Sequence, residues 1–305
     1  MKIFKNRGDF YIPKSDYKSS KEARILHIIL VFTVIFTAVF LVLLSRNYSS
    51  AADFFGNGEV TVTQESVTEE VLPEIEGKTN YLIFETDDFE KSIHYIYLLQ
   101  ADKSGKAYKF CALSPKTLIN GEKMIDIYAA GGGASLQTKI TEYLGIQIDY
   151  YVAFKNSNFV NFCDKLGTFI CPIYKEVKFS GGDSDDKYTI HVKEGDETLD
   201  AKNFSNLLRY YSEKEKNYSL QNEVLMRAYT SLFNEDNYED SDSLFRLLIK
   251  SSSTNITVRN FENGKDALMV FCKMSNDITV YSAEVNYEKN ELTQDSIKNI
   301  KGYFS

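Results

Sequence analysis

Two adjacent carboxylates, Asp87 and Asp88, close the acidic stretch Glu85-Thr86-Asp87-Asp88, which follows the apolar run Tyr81-Leu82-Ile83-Phe84. Paired acids in a turn can offer hard oxygen ligands to a divalent ion, or they can hydrogen-bond the turn's own backbone. Thiol and imidazole chemistry has less to work with. The four cysteines, Cys111, Cys163, Cys171 and Cys272, contain no CxxC pair, and His27, His94 and His191 lie far apart, a spacing that argues against zinc. The cysteines read as small buried apolar residues, with a Cys163–Cys171 bridge as the alternative in an oxidising compartment. The chain has no G-x-S-x-G, no Walker loop and no HExxH. Gly131-Gly132-Gly133 could cradle a phosphate, but no Lys-Ser/Thr follows, so it reads as a glycine-rich entry to a helix.

Composition narrows the field. The chain has 305 residues, 43% of them apolar and 26% charged, with a formal net charge of -8. This is the balance of a globular protein, and its sign argues against a nucleic-acid binder, which needs a basic surface to meet phosphates. No helix-turn-helix pattern appears.

Residues 25–44, ILHIILVFTVIFTAVFLVLL, form a 20-residue apolar run, long enough to cross a bilayer as a helix. Ser49-Ser50-Ala51-Ala52 could imitate a signal-peptide cleavage site, but the run is longer than the usual apolar core of such a peptide. Seven Lys/Arg against three acids precede it, so the positive-inside rule places the N-terminus in the cytoplasm. The expected layout is a cytoplasmic tail at 1–24, a single-pass signal anchor at 25–44, an extracytoplasmic stalk at 45–79 and a folded extracytoplasmic domain at 80–305.

Within that domain, Ile93 to Ala101 and Tyr108 to Leu113 read as strands joined by the turn Asp102-Lys103-Ser104-Gly105. A helix with Leu136, Ile140, Tyr143 and Leu144 on one face ends at Gly145. Strand 148–154, a helix ending at Gly167 and strand 169–174 follow, then the polar loop SGGDSDDK at 180–187 and a strand at 188–192. Helical patterns cover 202–212, 219–234, 241–250 and part of 258–274, and strand 278–286 and helix 293–304 close the chain. This alternation predicts an α/β layered domain with a central mixed sheet flanked by helices.

Several stretches, in order, resemble the LytR-CpsA-Psr family of cell-envelope proteins. They are Asn80 to Asp87, Tyr128-Ala129-Ala130-Gly131-Gly132, Leu144-Gly145-Ile146-Gln147-Ile148-Asp149-Tyr150-Tyr151-Val152, Phe159 to Gly167, Thr189 to Asp200 and the tail from Asp277. The resemblance implies a transferase that moves a glycan from a polyprenyl-pyrophosphate carrier to peptidoglycan or another wall acceptor, at the membrane. That chemistry calls for cations on the pyrophosphate, carboxylates for Mg²⁺ and an apolar slot for the lipid. By resemblance, Lys116, Lys123, Arg209 and Gln221 would bind phosphate, with Lys116 and Arg209 serving catalysis, and Asp87 and Asp88 would hold the metal.

The departures from the family pattern are concentrated at this site. Lys116 stands where the family has arginine, and the aspartate that follows in the family is missing. The second-strand aspartate falls near Ser92-Ile93-His94, where there is no acid. Arg209 matches the first arginine of an R-x-R pair, but Tyr211 stands at the second, and Asn217 to Gln221 keeps only the glutamine of R-x-x-R-Q. Three readings therefore stay open: a divergent active transferase, a non-catalytic protein that binds a lipid carrier or a partner, and an exported structural domain. Lys116 is a phosphate contact in the first reading and a solvated turn residue in the last.

Overall fold

The computed structural model describes residues 72–305. The expected anchor, the cytoplasmic tail and most of the stalk lie outside the described residues. Among those residues no helix is long and apolar enough to cross a membrane.

The order of elements is β1 (Lys78–Thr86), β2 (Ile93–Asp102), β3 (Ala107–Leu113), a small hairpin of β4 (Leu118–Ile119) and β5 (Glu122–Lys123), α1 (Met124–Leu144), β6 (Tyr150–Lys155) and α2 (Asn156–Leu166). Next come β7 (Phe169–Ile173), β8 (Val177–Gly181), β9 (Tyr188–Val192), β10 (Gly195–Leu199), α3 (Ala201–Arg209) and a π-helical turn, Tyr210–Glu215. The chain closes with α4 (Tyr218–Leu232), α5 (Glu235–Glu239), α6 (Ser241–Ser251), β11 (Ser252–Thr254), α7 (Val258–Lys273), β12 (Thr279–Ser282), β13 (Tyr287–Glu288), β14 (Glu291–Leu292) and α8 (Gln294–Phe304).

The central sheet has the order β11-β6-β1-β2-β3-β12. It is mixed: β1, β2 and β3 form an antiparallel meander, β6 runs parallel to β1 and β12 parallel to β3. Side chains alternate between its faces, as strand geometry requires. One face carries Ile83, Tyr97, Leu99, Phe110 and Phe154 against helices α2, α3, α4 and α7. The other carries Leu82, Phe84, Ile96, Leu98 and Cys111 against Leu136, Ile140 and Leu144 of α1 and Ile300 and Phe304 of α8. Both faces are covered, so each strand reads as nearly continuous apolar sequence.

Four expectations change. The stretch 169–173 is a strand but leaves the central sheet, pairing with β10 as a two-stranded ribbon. Part of the loop expected at 180–187 belongs to a second ribbon, β8 with β9. The acidic stretch expected as a turn begins inside β1, where Glu85 is fully buried. The glycine triplet does not open α1: the helix starts at Met124 and kinks at Gly131 and Gly132, the latter at φ 67°. Gly133 follows because β6 approaches there, and a Cβ would lie 2.2 Å from the Tyr151 ring. Gly133→Ala is expected to lower the thermal midpoint, at about 1–3 kcal/mol of overpacking; an unchanged midpoint by calorimetry would show that the ring moves aside freely.

All four cysteines are buried free thiols, so Cys163 and Cys171 are not bridged. Burial pushes the Cys111 thiol up to about 12 and Cys171 to about 11, so both stay protonated at neutral pH.

Candidate functional site

Three strands leave the sheet at one edge. β1 ends there at Thr86, β3 at Leu113 and β6 at Lys155, while β2 enters there at Ile93. The carboxyl ends of strands are where open α/β sheets hold their ligands.

A β-bulge shapes this edge. Glu85 pairs with Tyr95 and Thr86 with Ile93, so His94 is an extra residue with no partner in the ladder. Bulges re-aim side chains, and this one brings the imidazole to the buried carboxyl of Glu85, with Nδ1 to Oε1 at 2.8 Å. Glu85 also accepts from Tyr95 Oη at 2.9 Å, Asn156 Nδ2 at 2.9 Å and Ser205 Oγ at 2.9 Å. Asn156 opens α2. Ser205 lies on α3, whose start is fixed by Asp200 accepting from Asn203 N at 2.7 Å, an ordinary N-cap.

The other imidazole nitrogen, Nε2, lies 2.8 Å from Asp186 Oδ2. Asp186 belongs to the β8–β9 hairpin loop. Gly182 lets that loop close at φ 90°, where a Cβ would sit 2.1 Å from the Asp186 carbonyl oxygen. Arg209 grips the same carboxylate with both arms, Nη1 to Oδ1 at 3.0 Å and Nη2 to Oδ2 at 2.6 Å, a bidentate fork. Its Nε donates to Glu213 at 3.0 Å, from the π-helical turn. The Tyr188 ring lies 4.3 Å from the guanidinium carbon, a cation–π contact.

The charges follow from these contacts. Burial alone would lower the His94 imidazole, but its bonds to Asp186 and Glu85 outweigh burial and raise it to about 9. Both ring nitrogens face carboxyl oxygens, so both donate and the ring is an imidazolium at neutral pH. Burial works to raise Asp186, yet hydrogen bonds from His94 and Arg209 win and hold it below its ordinary value. For Glu213 burial prevails over Arg209 and the carboxyl is raised.

A pH dependence follows. The folded-state value of His94 exceeds the unfolded 6.5, so its contribution to stability is complete below pH 6.5 and is lost as pH rises through about 9. The interval corresponds to about 3 kcal/mol. Urea midpoints measured across that range should fall with rising pH in the wild type and much less in His94→Gln; equal slopes would refute the assignment.

Beside this cluster lies a cavity of about 340 Å³. It runs along one face of the sheet, from Phe159 and Phe204 past Tyr81, Ile83, Tyr97 and Leu99 towards Thr79 and Lys103 at the far edge. Leu244, Phe245, Leu248, Phe261 and Leu268 of α6 and α7 form its roof. The cluster and the cavity share elements. On β1, Glu85 serves the cluster while Ile83 and Tyr81 serve the cavity; on α3, Ser205 and Arg209 serve the first and Phe204 the second.

The residues singled out by sequence are distributed unevenly. Arg209 is at the centre. Asp87 is buried, but its carboxylate accepts from the backbone of Lys91 at 2.6 Å, Ser92 at 2.7 Å and Phe89 at 3.3 Å, closing its own loop. Asp88 accepts from Ser157 N at 2.9 Å, at the start of α2. Lys116 is exposed in the turn Ser114–Thr117, which emerges from β3 at the same sheet edge, and Lys123 is exposed before α1. Neither lysine makes an ion pair among the described residues. Gln221 on α4 is fully buried, with both ends of its amide unpartnered in the protein. Ser212 Oγ and Tyr188 Oη are buried and unpartnered in the same way. Sequence reading missed Glu85, His94, Asn156, Asp186 and Ser205. The available signal was a histidine near the start of the mostly apolar β2.

The sequence profile of the LytR_cpsA_psr family matches residues 110–302. The chain belongs to the LytR_cpsA_psr family. No curated protein matches it. Among solved structures, a protein of Eubacterium siraeum described as a transcription regulator superposes with a TM-score of 0.65 at 16% identity, covering 80% of this chain and 97% of that one. TagV of B. subtilis gives 0.55 at 15%, covering 75% and 96%. TagT bound to LI-WTA gives 0.55 at 15%, covering 77% and 92%. At these identities the likeness speaks for the fold.

Within the LytR_cpsA_psr frame, the implied Mg²⁺ can be tested against the donors present. A hard cation needs several oxygen lone pairs turned towards one point. Glu85 spends both oxygens on Tyr95, Asn156, Ser205 and His94, Asp186 spends both on His94 and Arg209, and Asp87 spends its oxygens on loop amides. Among the described residues no group of three or more His, Cys, Asp or Glu side chains is arranged to hold a metal ion. This donor set does not fit Mg²⁺.

Proposed function

We propose that this chain is a membrane-anchored, extracytoplasmic protein that binds a polyprenyl-pyrophosphate-linked glycan and transfers it to peptidoglycan or another wall acceptor. One observation carries the reading: an apolar cavity of about 340 Å³ lies on the same sheet face whose edge bears the Arg209–His94 cluster. A lipid tail fits the first and a phosphate the second. The solved structure of TagT bound to LI-WTA, which shares this fold, supports the same assignment. The 25–44 segment would hold the domain at the outer leaflet, where such carriers present their headgroups.

Transfer forms a bond between an acceptor hydroxyl oxygen and the sugar-bearing phosphorus. It breaks the bridging P–O bond, releases the lipid monophosphate and gives up the hydroxyl proton to solvent. Arg209 would neutralise charge on the phosphates, Lys116 would add a cation from the turn after β3 and Lys123 another from β5, and the unpartnered amide of Gln221 would bond an oxygen. The test is transfer of a short-chain polyprenyl-pyrophosphate sugar by the full-length chain in detergent. Product formation that disappears in Arg209→Ala supports the reading, and no transfer with no lipid binding refutes it.

One observation favours a non-catalytic lipid binder instead: Arg209 is already engaged by Asp186 and Glu213, and among the described residues no second arginine joins it. In that case lipid binding persists without turnover.

A further inference from the structure

We infer that His94 and Arg209 form a metal-independent site for a phosphoryl group, with His94 supplying the fixed positive charge that a divalent ion would otherwise bring. The inference rests on the same site as the proposed function, but not on transfer or on a lipid.

Two cations converge on one oxygen. His94 Nε2 and Arg209 Nη2 lie 2.8 and 2.6 Å from Asp186 Oδ2, and Arg209 Nη1 holds Oδ1 at 3.0 Å. A fork plus a third donor, spread over two oxygens of one anion, is the arrangement that recognises phosphate as readily as carboxylate. The anion held here is the protein's own. Asp186 comes from the β8–β9 hairpin loop and is half-buried, so it can leave to solvent without unpacking the sheet. Behind the cations the structure is fixed: Glu85 anchors the imidazole through Nδ1, Glu213 anchors the guanidinium through Nε, and the Tyr188 ring supports it from one side. Asp186 therefore holds the place of an incoming phosphoryl group on a preformed receptor.

The same geometry excludes a divalent ion. The imidazolium and the guanidinium already take up the carboxyl oxygens of Glu85, Asp186 and Glu213, and a third positive centre placed among them would sit beside two like charges. The family aspartate of the second strand falls near Ser92-Ile93-His94, where this chain has no acid and a cationic side chain, His94, instead enters the cluster.

Isothermal titration of the full-length chain in detergent with inorganic pyrophosphate, once in EDTA and once in MgCl₂, tests this. Asp186→Asn removes the competing negative charge from the receptor and is expected to bind about tenfold more tightly than the wild type, the worth of one charge-assisted contact. Its affinity should be the same in both media. His94→Asp exchanges the cation for an acid and should bind only in MgCl₂. Loss of pyrophosphate binding by Asp186→Asn in EDTA, or absence of binding by that variant in both media, would overturn the inference even if His94→Asp fails to fold. A parallel titration with farnesyl pyrophosphate separates the ligand sources. Tighter binding than inorganic pyrophosphate assigns the anion to a lipid headgroup and equal binding to a free phosphate, and both uphold the receptor. Because inorganic pyrophosphate has no tail, the receptor can stand while the lipid reading falls, and the reverse.

Discussion

Ala267→Trp is expected to abolish binding of a polyprenyl phosphate while leaving the domain folded. Ala267 lies on α7 and lines the cavity with Leu268 and Phe271. It is only half-buried, so a larger side chain there displaces cavity space before it displaces neighbours. Each buried methylene of a bound tail is worth roughly 0.8 kcal/mol, so excluding four of them costs about 3 kcal/mol, more than a hundredfold in affinity. Equilibrium binding of a polyprenyl phosphate to the two proteins, with circular dichroism as the folding control, measures this directly. Unchanged affinity would mean that the cavity is not the lipid slot, and the proposed function would lose its principal support.

The second large effect belongs to Arg209. Arg209→Ala removes the arginine that the cluster is built on and should cost about 2–4 kcal/mol of transition-state stabilisation, the range for one lost charge-stabilising donor. In transfer assays this is a fall of about thirtyfold to a thousandfold in kcat. Arg209→Lys should not restore it, because an ammonium cannot reproduce the fork that spans Oδ1 and Oδ2 of Asp186, and so cannot span two phosphate oxygens. The variant leaves Asp186 with His94 alone, so the hairpin loop should loosen as well. A wild-type rate in Arg209→Lys would show that charge without geometry suffices.

Both predictions concern residues of differing legibility. The strands of the meander could be read directly, since Ile93 to Ala101 and Tyr108 to Leu113 are apolar runs bounded by turn residues, and the observed strands end within one residue of those limits. Arg209 stood out by resemblance and lies at the centre of the site. His94 could not be assigned, because strict alternation along β2 places it on the face of Ile96 and Leu98, and only a bulge moves it to the opposite one. Glu85 was masked by its neighbours, since four polar residues in a row read as a turn even when the strand continues into them. Asp186 shares a loop with Asp183 and Asp185, and nothing local distinguishes the one that reaches Arg209. The departure of β7 from the central sheet is likewise a matter of pairing partner, which short strands of similar composition do not encode.

The bulge at His94 has a consequence for what selects the side chain at this edge of the sheet. A residue within a regular ladder has its backbone tied to a cross-strand neighbour, which fixes the face its side chain takes. His94 has no such neighbour. Its position is a socket in the sheet rather than a rung of it, so the side chain seated there is chosen by the carboxyl groups of Glu85 and Asp186 and not by a cross-strand neighbour. The register of the strands does not depend on the side chain at this position, whereas the buried carboxyl of Glu85 and the loop carboxylate of Asp186 do depend on a donor there.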